Sequence, residues 1–78
     1  MAQMVSLSPR ERECLFLASQ GVTDKGIAAM LGIRLPTVES YWQRIFGKLG
    51  AVSRTHAYAL ALKRGESLEQ GTTPAARA

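Results

Sequence analysis

Four polar residues within one short segment are the side chains of this sequence best suited to chemistry: Glu39, Ser40, Gln43 and Arg44. A carboxylate can accept a hydrogen bond from cytosine N4, and a glutamine amide can pair with adenine. A guanidinium can pair with guanine or hold a phosphate, and a serine hydroxyl can serve either purpose. The chemistry these groups offer is hydrogen bonding, which base edges and phosphates could receive, whereas a solvated helix face is the simpler interpretation of the same pattern.

An apolar stripe in the same segment determines which way these side chains point. Val38, Trp42, Ile45 and Leu49 repeat at spacings of four, three and four, as residues on one buried helix face do. The polar residues then lie on the other face. The same spacing predicts that Trp42 packs in the core rather than stacking on a base or a ligand.

Catalysis is not predicted. Cys14 is the only cysteine and falls on an apolar helical stripe, so we expect it in the core. His56 is the only histidine, and a surface or helix-interface role is expected for it. We recognise no nucleophile paired with a base, no glycine loop for phosphate and no metal-ligand cluster. The sequence predicts a non-enzyme without cofactor or metal.

Length and charge set the outer limits. The chain has 78 residues and a formal net charge of +4, so it makes one small domain with a basic surface. Charge alone fits a nucleic-acid partner and an ordinary soluble surface equally well. A single cysteine forbids an internal disulfide, and no stretch has the length of a membrane span. Because Met1–Met4 lacks signal-peptide features, we expect a cytoplasmic protein without membrane contact.

Capping and breaking residues predict four helices and no strands, an all-α fold. Ser8-Pro9-Arg10-Glu11 has the pattern of a capping box before a helix at about 9–20, and Gly21 stops it. Further helices are predicted at about 24–31, 36–48 and 53–64. The second and third are joined by a tight turn that contains Gly32, as in a helix-turn-helix. We predict a lead-in at 1–6, a domain at 7–65 and a flexible tail at 66–78.

The order of particular residues is more specific than this outline. Three groups carry it, one for each part of the domain: Leu7-Ser8-Pro9-Arg10-Glu11-Arg12-Glu13 with Leu15; Gly21, Lys25, Ile27-Ala28, Leu31 and Ile33; and Thr37-Val38, Ile45, Lys48-Leu49, Val52, Arg54 and Ala57. Over roughly residues 7–65 the sequence resembles the LuxR-type (LuxR/GerE) helix-turn-helix DNA-binding domain, whose members are transcription factors that mostly bind DNA as dimers.

The resemblance implies which parts of the domain contact DNA and which part forms the dimer. Residues 36–48 would be the recognition helix, which enters the major groove and reads bases with Glu39, Ser40, Gln43 and Arg44. The residues expected to contact phosphate are Thr23, Lys25, Arg34, Thr37 and Arg54. Those expected at a dimer contact on the fourth helix are Tyr58, Ala61 and Leu62. Lys48 resembles the family lysine that pairs with a first-helix glutamate, and Glu11 is its expected partner.

Four positions depart from the family pattern and bear on contact chemistry more than on fold. Glu39 stands where a basic residue is common, and Tyr41 stands where histidine is common. Arg34 follows the isoleucine of the turn in place of a frequent serine. Gly26 replaces the usual glutamate inside the second helix, which costs about 0.5–1 kcal/mol relative to alanine.

Two functions of different classes fit these observations. The first is a stand-alone transcriptional regulator that binds double-stranded DNA as a weak homodimer, tightened on an inverted repeat. The second is a protein-interaction module that pairs with a full-length LuxR-type regulator and inhibits it. A third possibility, an excised domain of a longer regulator, is mildly disfavoured by Met1; the mass of the native product decides it.

Overall fold

A computed structural model describes residues 6–66 and 68, and these residues form four helices and no strand. The helices, in chain order, are α1 (Pro9–Ser19), α2 (Asp24–Leu31), α3 (Leu35–Leu49) and α4 (Arg54–Lys63). The predicted all-α fold is confirmed, and each predicted helix is found with ends that differ by at most one residue. No helix in this part of the chain is both long and apolar enough to cross a membrane.

Side-chain caps start three of the helices, as their sequences indicate. At α1 the capping box is complete: Ser8 Oγ accepts from Glu11 N–H at 3.1 Å, and Glu11 Oε1 accepts from Ser8 N–H at 2.8 Å. Thr23 caps α2 and Ser53 caps α4, each with an N–H to hydroxyl distance of 3.1 Å. Because each cap satisfies a backbone N–H that has no partner inside its helix, it fixes where the chain turns into the helix.

Glycines end the two helices of the helix-turn-helix. Gly32 follows α2 with φ of 70°, and Gly50 follows α3 with φ of 69°. Side chains other than glycine rarely adopt this left-handed conformation, so the turn between α2 and α3 needs a glycine at its first position. The short turn places the start of α3 directly against α2.

The core lies where α3 packs between α1 and α2, with α4 closing it. Val38, Trp42 and Ile45 are buried along the predicted stripe, and the side chain of Cys14 is inaccessible to solvent. Burial raises the pKa of the Cys14 thiol to about 11, so the group is protonated at neutral pH. The core roles predicted for Trp42 and Cys14 are confirmed.

One ion pair joins α1 to α3 inside this core. Lys48 Nζ lies 2.7 Å from Glu11 Oε1, and the carboxylate of Glu11 is almost fully buried. Burial alone would raise the pKa of Glu11, but hydrogen bonds from Lys48 and from the Ser8 N–H outweigh it, and its pKa lies below 4.5. The predicted Lys48–Glu11 pair is confirmed as a structural contact.

The predicted start of the flexible tail is wrong for two residues. Leu68 is only 1% exposed and belongs to the core. Glu66 forms an ion pair with Arg12, with 3.7 Å between Glu66 Oε1 and Arg12 Nη1. Burial of one leucine side chain in the core contributes about 1.5–3 kcal/mol, which can offset the entropy lost when the segment becomes ordered. The packed region therefore extends past residue 65. The other residues of the predicted tail lie outside the part of the chain that the structure describes.

Candidate nucleic-acid interface

The face of α3 opposite the core carries the predicted base-reading side chains. Glu39, Ser40, Gln43 and Arg44 are all exposed, while the stripe behind them is buried. A helix of 3.6 residues per turn places Glu39 and Arg44 about 140° apart around its axis, with Ser40 and Gln43 between them. The result is a polar face with a carboxylate on one flank and a guanidinium on the other.

The two flanks of this face differ in their local partners. Arg44 lies over the ring of Tyr41, with 5.8 Å from its Cζ to the ring centroid, which holds it towards one side of the helix. The carboxylates described by the structure are those of Glu11, Glu13, Asp24, Glu39 and Glu66. Among them Glu39 is the one without an ion pair. Its carboxylate is therefore available to an amino group from outside.

The N-terminus of α3 differs from those of the other three helices. Arg34 occupies the cap position without a side-chain cap, and no acidic residue stands in the first turn. The Thr37 N–H turns back to the Arg34 carbonyl at 3.0 Å, and Pro36 has no N–H at all. No acidic side chain of the first turn therefore opposes the positive end of this helix dipole, as is also true of α4, but α4 has a side-chain cap and α3 has none.

The residues predicted to contact phosphate lie at the starts of three helices. Thr23 and Lys25 open α2, and Arg34 and Thr37 open α3; Lys25 and Arg34 are exposed. Thr23 is already engaged as the cap of α2, so its hydroxyl has a structural role as well. Arg54 is the first residue of α4, and its surroundings are different.

Arg54 forms a closed cluster with two residues that sequence analysis did not connect to it. Its Nη1 and Nη2 lie 2.9 Å and 2.8 Å from the two carboxylate oxygens of Asp24, a bidentate pair. Trp42 Nε1 donates to the same carboxylate at 3.1 Å. The Arg54 guanidinium also lies 4.3 Å from the centre of the Trp42 ring. No local sequence signal could have found this contact, because Asp24 and Arg54 are 30 residues apart.

The predicted dimer contact needs one correction. Leu62 is 47% exposed and Tyr58 is half-buried, so both present some surface on α4. Ala61 is fully buried, and its inclusion in a surface patch is wrong. Ala57 and Ala61, one helical turn apart, are the buried residues of α4, and Tyr58 packs against the core beside them.

His56 has a backbone role. Its Nδ1 accepts a hydrogen bond from the Val52 N–H at 3.1 Å, which ties the loop before α4 to the helix. Within residues 6–66 and 68 no group of three histidine, cysteine or acidic side chains is placed to hold a metal ion. The half-buried position is compatible with the surface or helix-interface role expected for His56.

Comparisons with known proteins agree on one family. Residues 5–61 match the family model described as bacterial regulatory proteins, luxR family. The response regulator Rre1 of Synechocystis sp. is 43% identical over 61 residues, which are 78% of this chain and 26% of Rre1. The transcriptional activator protein BjaR1 of Bradyrhizobium diazoefficiens is 47% identical over 57 residues, 73% of this chain and 24% of BjaR1. The chain thus spans about a quarter of the length of these curated relatives.

A solved structure gives the same result for the fold. The Vibrio cholerae VqmA dimer in the absence of target DNA, a LuxR-type receptor, matches with a TM-score of 0.71 and 40% identity. The match covers 80% of this chain and 28% of the VqmA chain. Together with the capped helix-turn-helix described above, these matches establish that the chain belongs to the luxR family of bacterial regulatory proteins.

Proposed function

We propose that this domain binds double-stranded DNA sequence-specifically, with α3 in the major groove, and that it regulates transcription. The observation that carries the proposal is the two-faced α3. A stripe fixed in the core presents Glu39, Ser40, Gln43 and Arg44 to the outside on a rigid helix. A helix fits the major groove, where each base pair offers its own pattern of donors and acceptors.

Each side chain on this face can form hydrogen bonds with a particular base. Gln43 can pair with N6 and N7 of adenine, and Arg44 can donate to guanine or to a neighbouring phosphate. Ser40 can bond to a base or to a phosphate, and Glu39 can accept from the N4 amino group of cytosine. A carboxylate near the DNA backbone is repelled unless such a donor satisfies it, so Glu39 is expected to narrow the choice of sequence while lowering general affinity.

The uncapped start of α3 supports a phosphate contact beside the groove. Its positive dipole end faces no acidic side chain in its own first turn, unlike those of α1 and α2, and so attracts an anion. Arg34 and Lys25 add exposed positive charge near the starts of α3 and α2, and Thr23 and Thr37 add hydroxyls. These contacts would set the position of the domain on the duplex and account for most of its salt dependence.

The test is selection of bound duplexes from a random library with the purified protein at about 150 mM salt. Enrichment of an inverted repeat with half-sites about one helical turn apart would support a dimeric regulator, with Tyr58 and Leu62 at the contact. Enrichment of a single half-site would support reading by a monomer. No enrichment from a sample with intact helical circular dichroism would contradict the proposal.

Two variants then test whether the exposed polar face of α3, here called the reading face, contacts the DNA bases. Gln43→Ala and Arg44→Ala should each weaken binding to the selected duplex, and the loss of a good bidentate pair corresponds to about 1–3 kcal/mol. Neither should lower the melting temperature, because both side chains are exposed. Gln20→Ala, at an exposed position after α1, is the matched control and should bind as the wild type does.

The alternative function is that of a protein-interaction module that inhibits a regulator. One observation supports it: Leu62 on α4 is exposed. Under that function a full-length LuxR-type regulator would be the partner. Changes at Tyr58 or Leu62 would abolish the effect on that regulator, whereas Gln43→Ala would not.

A further inference from the structure

The cluster of Asp24, Trp42 and Arg54 joins three helices through one carboxylate. Asp24 is the first residue of α2, Trp42 lies in the middle of α3, and Arg54 begins α4. Both carboxylate oxygens accept from Arg54, and one of them also accepts from the Trp42 indole N–H. The guanidinium then covers the indole ring. Each member contacts the other two, so none can turn without breaking two contacts.

This geometry affects the orientation of the exposed face of α3 relative to α2 and α4. Trp42 lies between Glu39 and Gln43 in sequence, on the opposite side of the helix from the reading face. Because Trp42 and that face belong to the same helix, contacts that hold the Trp42 ring also help to hold the orientation of the face. In α2 and α4 the attachment points are the first residues, each directly after a side-chain cap that fixes the start of its helix. The cluster fixes α3 at a point beside the core, in addition to the apolar stripe.

We propose that Asp24, Trp42 and Arg54 are positioning residues for DNA reading: together they hold the exposed face of α3 at a fixed angle to α2 and α4. The inference rests on the proposed function and assigns Arg54 a different task from the phosphate contact expected from sequence. Both Nη groups of Arg54 are already engaged by a carboxylate, which compensates its charge.

The negative charge of Asp24 makes this inference testable, because a charge effect and a positioning effect change DNA affinity in opposite directions. Asp24 stands between Thr23 and Lys25, where phosphate contact is proposed. If its carboxylate acted only through its charge, Asp24→Asn would remove a negative charge and tighten binding to any duplex. If it acts by positioning, the same change loosens α3 and weakens binding to the selected duplex. Binding to a scrambled duplex would stay equal or become tighter.

The experiment measures the ratio of the dissociation constants for a scrambled and a selected duplex. We expect Asp24→Asn to lower this specificity ratio on the order of tenfold, because a charged hydrogen-bonded group is lost. Glu13→Gln is a close control. The Glu13–Arg10 pair has side-chain exposures of 22% and 47%, against 23% and 45% for Asp24–Arg54, but it lies within α1. Glu13→Gln should leave the ratio unchanged.

Arg54→Lys separates positioning from phosphate contact. Lysine keeps the charge but cannot form the bidentate pair or stack its plane on the indole. Positioning predicts that Arg54→Lys lowers the specificity ratio as much as Asp24→Asn does, and that the double variant is no worse than either. Near wild-type ratios for Arg54→Lys would indicate a phosphate contact and overturn the inference.

Trp42→Phe guards against loss of folding, because it keeps a large aromatic ring in the core while removing the indole N–H. Circular dichroism and thermal melting monitor each variant, and binding is measured well below the lowest midpoint. A folded Trp42→Phe with an unchanged ratio would overturn the inference, and so would an unchanged ratio in Asp24→Asn. A wild-type protein that selects no duplex overturns the proposed function as well, so the two failures are distinguishable.

Discussion

Two carboxylates hold α3 from its two sides, and their surroundings differ. On one side Glu11 accepts a hydrogen bond from Lys48 at the edge of the core, where the side chain of Glu11 is 3% exposed and that of Lys48 is 26% exposed. On the other side Asp24 receives Trp42 and Arg54 near the surface, where its side chain is 23% exposed and that of Arg54 is 45% exposed. The chemical groups are similar in the two clusters, and the degree of burial is what separates them.

This difference in burial predicts a division of roles. A charge buried beside its partner is costly to leave alone, so the Glu11–Lys48 pair is expected to control whether the domain folds. An ion pair near the surface contributes little to stability because water and salt screen it. The Asp24 cluster is therefore expected to control orientation more than stability. The predictions below compare the two clusters, beginning with the largest effect.

Lys48→Met should cause the largest loss of stability. It leaves the buried Glu11 carboxylate with the Ser8 N–H as its remaining hydrogen-bond donor, and breaking a buried pair costs about 3–5 kcal/mol. We expect about 3 kcal/mol, the lower end of that range, because the Lys48 side chain is 26% exposed. Urea unfolding followed by circular dichroism gives the value.

Lys63→Met is the control for this change, because Lys63 stands in the last turn of α4 as Lys48 stands in the last turn of α3. Replacement of this exposed lysine should change the free energy of unfolding by no more than about 0.5 kcal/mol. Equal effects of the two variants would show that the Glu11–Lys48 pair adds no stability beyond that of an exposed lysine. The folded fraction of Lys48→Met should still prefer the selected duplex.

Acid should weaken the Glu11 cluster reversibly. The pKa of Glu11 is lowered in the folded domain from its ordinary value of 4.5, so near that pH the unfolded chain binds more protons than the folded one. The stabilisation is fully present above pH 4.5 and is lost as the pH falls through the folded-state pKa. Urea midpoints measured across this range should fall more steeply for the wild type than for Glu11→Gln. Parallel curves would contradict the assignment.

The sequence predicted those parts of the molecule that depend on close neighbours in the chain. The Ser8 capping box, the glycine stop at Gly32 and the buried stripe of α3 follow from spacings of three or four residues. The Lys48–Glu11 pair spans 37 residues, and only the family resemblance predicted it.

What the sequence missed depends on contacts between distant segments. The Asp24–Arg54 pair joins the starts of two helices whose angle is set by core packing, so no spacing rule could reveal it. Ala61 was misassigned because α4 is apolar around more than half of its circumference, which leaves its core-facing side undetermined. Leu68 was missed because one leucine in a polar segment has no periodicity.

Asp24→Asn should cost much less stability than Lys48→Met. The asparagine oxygen can still accept from the Trp42 N–H, but the amide nitrogen replaces one of the two oxygens that accept from Arg54, so the bidentate ion pair is lost at a partly exposed site. We expect a loss of about 1 kcal/mol or less in the free energy of unfolding. A loss as large as that of Lys48→Met would mean that the Asp24 cluster also controls folding, and the proposed division of roles would fail.

The smallest effects concern two glycines, one outside both clusters and one within reach of Asp24. Gly47 lies on the exposed side of α3, where a Cβ would meet nothing within 4 Å. Gly47→Ala should therefore raise the free energy of unfolding by about 0.5–1 kcal/mol, the helix preference of alanine over glycine. Gly26 lies inside α2, where a Cβ would come within 2.8 Å of Val22 Cγ1, so Val22 must shift to admit it. Gly26→Ala should gain little or nothing in the same urea titration. If Gly26→Ala stabilises the domain as much as Gly47→Ala does, the Val22 side chain moves away from the new Cβ at little cost, and the predicted penalty of this close fit is contradicted.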